Sequence, residues 1–440
     1  MNDRDRWDDK GRPPGRERVK RSTGPSRPSE ASRSQTSILA NPSAMKREAH
    51  EPDYIIIVAV LALSAIGILM VYSASAIPSY ARSQNTFQLV APQVVAGLLG
   101  LVAMLALMRV DYRYLRVASV PLAVLALVLL VVVLVPSPIS VTANNSARWI
   151  HLGPFLPDIH PAEVAKLALV VYLSHWLATR GNGIRSLWSG TVPFAIIVVP
   201  FLVLVVREPD LGTTSVLVLI SFSLFFVAGA NFFHLILAGL AGIGGGAVIV
   251  ASGSYPLQRI QTLLDPWAYA ETSGFQTVQG LQALSAGGLF GTGLGNDRIF
   301  VPANANDFIF SVIAQEMGLV GGAVVIGLFV AFAYAGVRTA IRAPDTFGGL
   351  MAAGITAWIC FQALINIGVV VAVIPVTGIT LPFVSAGGSS LTVSLAAVGV
   401  LLSISRETVE RGWISASSDS GRGYGGTYIP GSRRSQIASD

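Results

Sequence analysis

Asp307 is the residue best placed to do chemistry. It closes the stretch Val301-Pro302-Ala303-Asn304-Ala305-Asn306-Asp307, and an apolar run opens at Phe308. Holding a carboxylate at a bilayer boundary costs free energy. Such a group could accept a proton from a substrate at the membrane surface, or cap the following helix through its free N–H groups. Glu316 lies nine residues further on, at another azimuth and depth. The two do not form the close carboxylate pair of a glycosidase.

Three more polar clusters interrupt apolar sequence. The first runs from Asn144-Asn145-Ser146-Ala147-Arg148-Trp149-Ile150 to His160-Pro161-Ala162-Glu163-Val164-Ala165-Lys166. Pro161 suits the first turn of a helix, and Glu163 and Lys166, three apart, share a helical face and can pair. Arg148 could anchor at the interface or form a fork for a phosphate group. His160 with Glu163 supplies only two of the ligands a metal needs. The second cluster is Arg207-Glu208-Pro209-Asp210-Leu211-Gly212-Thr213-Thr214, in which Pro209 breaks a helix and Asp210 can cap the next. The third spans Pro375 to Ser390, with two prolines, a Gly387-Gly388 pair, and Ser385, Ser389 and Ser390. Irregular backbone at membrane depth is tolerated only when buried in protein or lining a wet cavity. Its donors could hold an anionic headgroup or satisfy a broken helix.

The elements that must position these groups are membrane helices. Mean hydropathy is +0.62 and 12% of residues are charged, against roughly 25% in soluble domains. Apolar runs of about 20 residues recur, whereas a barrel would show short alternating segments. An all-α polytopic bundle is expected, with ten spans near 54–76, 88–108, 117–135, 162–178, 191–206, 211–228, 232–250, 308–336, 347–372 and 389–405. Residues 1–50 and 407–440 lack the aliphatic clusters needed to fold and read as disordered tails. The basic first tail suits anionic headgroups rather than nucleic acid, because it has neither a folded scaffold nor interleaved aromatics. No signal peptide opens the chain, so the first span is expected to serve as its own insertion signal. The single cysteine, Cys360, lies in an apolar run and reads as a buried thiol.

Lys46, Arg47, Arg109, Arg113, Arg116, Arg180, Arg185, Arg338, Arg342, Arg406 and Arg411 fall on one side if there are ten spans. That side, and both termini, are then cytoplasmic. The connection 136–161, residues 207–210, the long loop 251–307 and the connection 373–388 then share the outer face. Within that loop, Val278, Leu281 and Leu284 recur at helical spacing, with Gln276, Gln279 and Gln282 on other faces. The helix could lie in the headgroup plane or pack on the bundle. Gly291-Thr292-Gly293-Leu294-Gly295 has neither the preceding strand nor the Gly-Lys-Ser/Thr of a nucleotide loop.

At these residues the chain resembles the SEDS family (shape, elongation, division and sporulation), which includes FtsW and RodA. The resemblance rests on Ala147-Arg148-Trp149-Ile150, Pro161-Ala162-Glu163, Pro209-Asp210-Leu211-Gly212-Thr213, Gly274-Phe275-Gln276 and Gly291 to Gly295. It continues through Asp307-Phe308-Ile309-Phe310, Asn366-Ile367-Gly368, Leu381 to Ser385 and Gly387-Gly388-Ser389-Ser390. The motifs occur in family order across roughly 54–406, and the passage from Gly295 to Asp307 looks closer to the division-type FtsW branch. Two departures stand out. Ala305-Asn306 replace the usual His-Thr pair, and Ser385-Ala386-Gly387-Gly388 replaces Ser-Tyr-Gly-Gly.

The resemblance implies a peptidoglycan glycosyltransferase that polymerises lipid II at the outer face of the cytoplasmic membrane. Its implied partners are a class B penicillin-binding protein and other divisome or elongasome membrane proteins. It implies Asp307 as the catalytic carboxylate. Candidate substrate contacts are Arg148, Glu163, Lys166, Asp210, Gln279, Ser385, Gly387, Gly388, Ser389 and Ser390. Arg148, Lys166 or a divalent cation (Mg or Mn) could offset the charge of the leaving diphosphate, and no residue is assigned as a metal ligand. Rival readings are a lipid II flippase, marked by a polar trail through both leaflets, and a non-catalytic scaffold for cell-wall enzymes.

Overall fold

The computed structural model describes residues 50–83, 86–135, 140–143, 146–151, 158–252, 254–296, 299, 301 and 305–408. The expected tail over 1–50 lies outside them except for His50, and the tail over 407–440 except for Glu407 and Thr408. Pro302, Ala303 and Asn304 also lie outside. Twelve α-helices form the described part. They are α1 (Tyr54–Ser83), α2 (Val90–Arg109), α3 (Tyr114–Leu134), α4 (Pro161–Arg180), α5 (Val192–Arg207) and α6 (Leu211–Val227). α7 (Phe232–Ser252), α8 (Ser254–Leu264), α9 (Phe275–Gly287), α10 (Ile309–Arg342), α11 (Thr346–Val370) and α12 (Gly388–Ser405) complete them.

Each of the ten expected spans coincides with a helix. By length and composition seven segments are apolar enough to cross a membrane: α1, α2, α3, Leu187–Arg207 (α5 with the helical turn before it), α10, α11 and α12. α6 and residues Phe232–Gly246 of α7 are apolar but shorter. α4 carries Glu163, Lys166, Ser174 and His175, which dilute its hydropathy.

Hydrogen bonds show how the helix ends are grouped. The His50 amide donates to the Arg406 carbonyl at 2.8 Å, and the Asp53 amide to Ser405 Oγ at 3.2 Å. The chain therefore enters and leaves the bundle at the same end, which requires an even number of crossings. Arg338 pairs with Asp53 there. Arg113 pairs with Asp111, Asp345 and Glu407, at 2.7 Å to the last. Among the described basic residues, Arg113, Arg338 and Arg406 thus lie at one end.

The other end gathers the irregular segments. In the expected connection 136–161, two strands form an antiparallel hairpin, β1 (Ser140–Ala143) and β2 (Ser146–Ile150), with a bulge between Val141 and Thr142. Ile150 also bridges Ile159. This small sheet, an addition to the all-α expectation, pairs backbone groups that would otherwise need water.

Small residues admit close approach, as is common between membrane helices. A Cβ on Gly100 of α2 would meet Leu395 of α12 at 2.7 Å, and one on Gly399 of α12 would meet the Met104 carbonyl at 2.5 Å. Gly67 of α1 lies against the Phe383 carbonyl, and Gly212 of α6 against Ile379 and the Thr377 carbonyl. These two glycines let the non-helical segment between α11 and α12 sit inside the bundle. Cys360 is free and partly buried.

Candidate active site

Asp307 lies in the turn just before α10 and is partly exposed. Its carboxylate does not cap that helix: the N-cap position is Phe308, which makes no side-chain capping bond. Instead the carboxylate is hydrogen-bonded by the Gln276 side chain of α9 and by its own backbone amide, and it feels the charge of Arg259 on α8. Burial pushes the carboxyl up to about 6, against the lowering effects of its own amide, Arg259 and Gln276. A base at that value is ionised at neutral pH yet retains proton affinity, as general-base work needs. Arg259 was not legible in the sequence; Gln276 was marked only by the Gly274-Phe275-Gln276 motif, since helical spacing alone did not separate it from Gln279 and Gln282. Gln279 is partly buried on the same helix.

α9 packs against the bundle. A Cβ on Gly280 would meet the Phe308 ring at 2.8 Å, and one on Gly287 the Ala314 carbonyl at 1.8 Å. The two glycines press α9 onto the start of α10 and bring Gln276 to Asp307.

The segment between α11 and α12 supports the same turn. Asn366 Nδ2 donates to the Asp307 carbonyl at 2.8 Å and to the Ile379 carbonyl at 2.7 Å. The Ala386 amide donates to the Ala305 carbonyl at 2.7 Å. The two places where the chain departs from the family pattern therefore meet directly.

Other expected contacts are spent within the bundle. Ser385 Oγ accepts from the Leu381 amide, and the Ser385 carbonyl accepts from Gln93 Nε2 at 3.0 Å. Gln93 Oε1 accepts from the Gly387 amide at 3.1 Å. Ser390 Oγ accepts from Thr380 Oγ1, while Ser389 Oγ donates to the Asp158 carbonyl and accepts from the His160 amide. Gly388 opens α12. Of the two readings of this cluster, satisfaction of broken backbone accounts for these bonds. Gln93, buried in the first turn of the apolar helix α2, was missed; an amide among aliphatic residues was its only signal.

Arg148 donates from Nε to the Glu208 carbonyl at 3.1 Å and from Nη2 to the Pro209 carbonyl at 2.7 Å. It closes the C-terminal end of α5, where a cation also favours the helix dipole. Asp210 caps α6, accepting from the Thr213 amide at 2.9 Å and from Thr213 Oγ1 at 2.7 Å. His160 Nε2 lies 3.9 Å from Asp210 Oδ2. Burial lowers the His160 pKa, opposed chiefly by Asp210.

Glu163 and Lys166 pair at 2.8 Å, as their spacing predicts. Lys166 also donates to Gln362 Oε1 at 2.6 Å and lies over the Trp358 ring. Gln362 Nε2 in turn donates to the Thr380 carbonyl at 3.0 Å. A buried ion pair on α4 is thereby tied to the segment that holds the Asp307 turn.

Glu208 is 1% exposed and neither carboxylate oxygen has a hydrogen-bond partner. Burial, followed by the Asp210 charge, pushes its carboxyl up to about 8, with Arg148 opposing. The unfolded chain releases this proton near pH 4.5 and the folded chain near 8, so stability falls as pH rises between them. Glu208→Gln is expected to melt like the parent near pH 5 and above it at pH 8, by a few kcal/mol at most. An unchanged difference between parent and variant across that window would refute a protonated Glu208.

Among the described residues no three His, Cys, Asp or Glu side chains gather as ligands.

The profile of the FtsW/RodA/SpoVE family, described as cell cycle protein, matches residues 53–410. Stage V sporulation protein E of Bacillus subtilis (strain 168) is 42% identical over 81% of this chain and 97% of its own. The probable peptidoglycan glycosyltransferase FtsW of Trichlorobacter lovleyi is 36% identical over 81% and 93%. Among solved structures, a chain from a peptidoglycan synthase complex that coordinates polymerization and crosslinking aligns with a TM-score of 0.68. It is 31% identical, covering 82% of this chain and 99% of its own. Rod shape determining protein RodA of Thermus thermophilus aligns with a TM-score of 0.60 at 29% identity, over 82% and 98%. The match spans the whole helical bundle, and the chain is a multi-pass membrane protein that belongs to the FtsW/RodA/SpoVE family.

Proposed function

We propose that the protein is a peptidoglycan glycosyltransferase that polymerises lipid II, with Asp307 as the general base. The observation that carries this reading is the Asp307 carboxylate. It is held by Gln276, faces the charge of Arg259, is partly exposed, and is not used as a helix cap. Relatives of similar length that are named peptidoglycan glycosyltransferases support the reaction class. In the step proposed, Asp307 takes the proton of the acceptor sugar hydroxyl as its oxygen attacks the anomeric carbon of the donor. The bond from that carbon to the diphosphate oxygen breaks, and undecaprenyl diphosphate leaves with the electron pair. Arg259, whose charge reaches the Asp307 carboxylate, is the cation proposed to offset negative charge at this site. Arg148 and Lys166, occupied as described, act through the scaffold, as do Glu163, Asp210, Ser385, Gly387, Gly388, Ser389 and Ser390. Gln279 remains a candidate substrate contact.

The end carrying Asp307 is assigned to the outer face and the basic end to the cytoplasm, following the positive-inside bias of the connections. Ten crossings fit that assignment: the even parity requires at least one helix beyond the seven long ones, and α4, α6 and α7 supply three. A class B penicillin-binding protein is the proposed partner, because the solved relative belongs to a synthase complex that couples polymerization to crosslinking. Septal wall synthesis is the proposed role, consistent with the FtsW names of several relatives.

Purified full-length protein given lipid II is expected to form glycan strands that lengthen with time, alone or with its transpeptidase partner. Transbilayer movement of lipid II without any polymer under either condition would favour the flippase reading. Of the charges a translocation path could use, Glu208 and Asp210 lie together at the start of α6, and Glu316 is buried in α10 with Ser73 donating to it; the three do not form a continuous bonded path among the described residues.

A further inference from the structure

α10 is broken at Gly318, whose φ of 69° departs from the helix. The turn Gly288–Gly295 is spliced into that break. The amides of Leu319 and Val320 donate to the carbonyls of Gly288 and Leu289, at 2.9 and 3.2 Å. In return, the amides of Thr292 and Gly293 donate to the carbonyls of Gln315 and Glu316, at 2.9 and 3.1 Å. The Gly295 amide donates to Ser73 Oγ on α1 at 3.0 Å. A Cβ on Gly318 would meet the Gly291 amide nitrogen at 2.4 Å, and one on Gly291 the Glu316 carbonyl at 2.0 Å, so the seat admits only glycine.

The splice fixes the height of the turn. Asp53 and Arg338 pair at the basic end of the bundle. Ser73 lies 19 residues beyond Tyr54 on α1, and Gly318 lies 20 before Arg338 on α10. At 1.5 Å per residue both helices place the turn about 30 Å from that ion pair. This is about the thickness of the hydrocarbon core. At that height the most exposed side chains of the turn are apolar, Leu289 at 63%, Phe290 at 82% and Leu294 at 57%, while the partly exposed Thr292 hydroxyl is bonded to the Gln315 and Asn296 carbonyls. The three apolar side chains continue the apolar outer surface of α10, where Leu319 and Val320 are 65% and 50% exposed. No charged residue occurs from Thr272 to Asn296. Backbone groups that would resist dehydration are paired through the splice.

We propose that this turn is a membrane wedge, with Leu289, Phe290 and Leu294 seated among the acyl chains of the adjoining leaflet. It clamps α9 and the start of α10 at a set height above the bilayer, and with them Gln276 and Asp307. The contact holds whichever reaction Asp307 serves.

The test uses the full-length chain with Cys360→Ala, carrying a nitroxide on Phe290→Cys or, separately, on Leu294→Cys. The proteoliposomes are of phosphatidylethanolamine and phosphatidylglycerol. A label on Glu271→Cys, in the exposed loop, is the aqueous reference, and one on Val330→Cys, on the exposed apolar face of α10, the hydrocarbon reference. Expected is loss of collisions with a water-soluble nickel chelate at both turn positions relative to Glu271→Cys, with oxygen collisions raised toward those of Val330→Cys. Chelate collisions at both turn positions equal to those at Glu271→Cys would overturn the wedge. So would protection that arises only when a transpeptidase partner is added, or protection accompanied by spin–spin broadening that unlabelled copies relieve and lost when the protein-to-lipid ratio is lowered. Those outcomes would assign the surface to a partner protein or to a second copy.

Discussion

Replacing Asp307 with asparagine is expected to slow glycan polymerisation by about 10²–10⁴-fold, the usual contribution of a general base. Asparagine keeps the size of the side chain and its ability to bond Gln276, so the turn before α10 should persist and lipid II binding should change little. The parent's pH profile provides a second readout. With the carboxyl at about 6, the base is ionised above that value and protonated below it. Activity is expected to fall about tenfold per pH unit well below 6 and to level off above 7. A folded Asp307→Asn protein that polymerises at the parental rate would remove Asp307 from the chemistry. A profile flat from pH 5 to 8 would remove its role as base.

Lys166→Met is expected to produce the largest loss of stability. Lys166 is wholly buried, bonded to Glu163 and Gln362, and lies over the Trp358 ring. Taking away the ammonium leaves the Glu163 carboxylate buried without its charge partner, at about 3–5 kcal/mol. The double variant Glu163→Gln with Lys166→Met removes both charges and is expected to regain most of that loss, since a buried ion pair is often no better than a neutral pair. Thermal unfolding in detergent is the measurement. If the single variant melts with the parent, the pair is not the clasp described. The double variant also separates scaffold from substrate contact: restored stability with restored polymerisation assigns both residues to the scaffold.

Much of the architecture was legible because a bilayer restricts the choices. Apolar runs of about 20 residues have to be helices, since lipid offers no partners for open backbone. The ten runs do coincide with helices, and Arg338 and Arg113 meet the two ends of the described chain in the Arg338–Asp53 and Arg113–Glu407 pairs. The Glu163–Lys166 pair followed from helical spacing alone. The hairpin β1–β2 was not legible, because two short strands beside Pro and Asn leave no periodicity to count. The break at Gly318 was equally hidden: one glycine among several in an apolar helix does not announce a left-handed φ.

The sequence by itself determined the class of molecule, the helices, and which polar residues had no ordinary place in lipid, because these depend on local composition and on the thickness of the bilayer. Only the tertiary structure decided what those polar residues face. Gln276 and Arg259 reach Asp307 through glycine contacts and an intervening helix, and Gln93, Asn366 and Gln362 bind a segment distant in sequence. Ala305 meets Ala386 across 81 positions. Such pairings are properties of packing between elements, and the spacing of residues along one element carries no record of them.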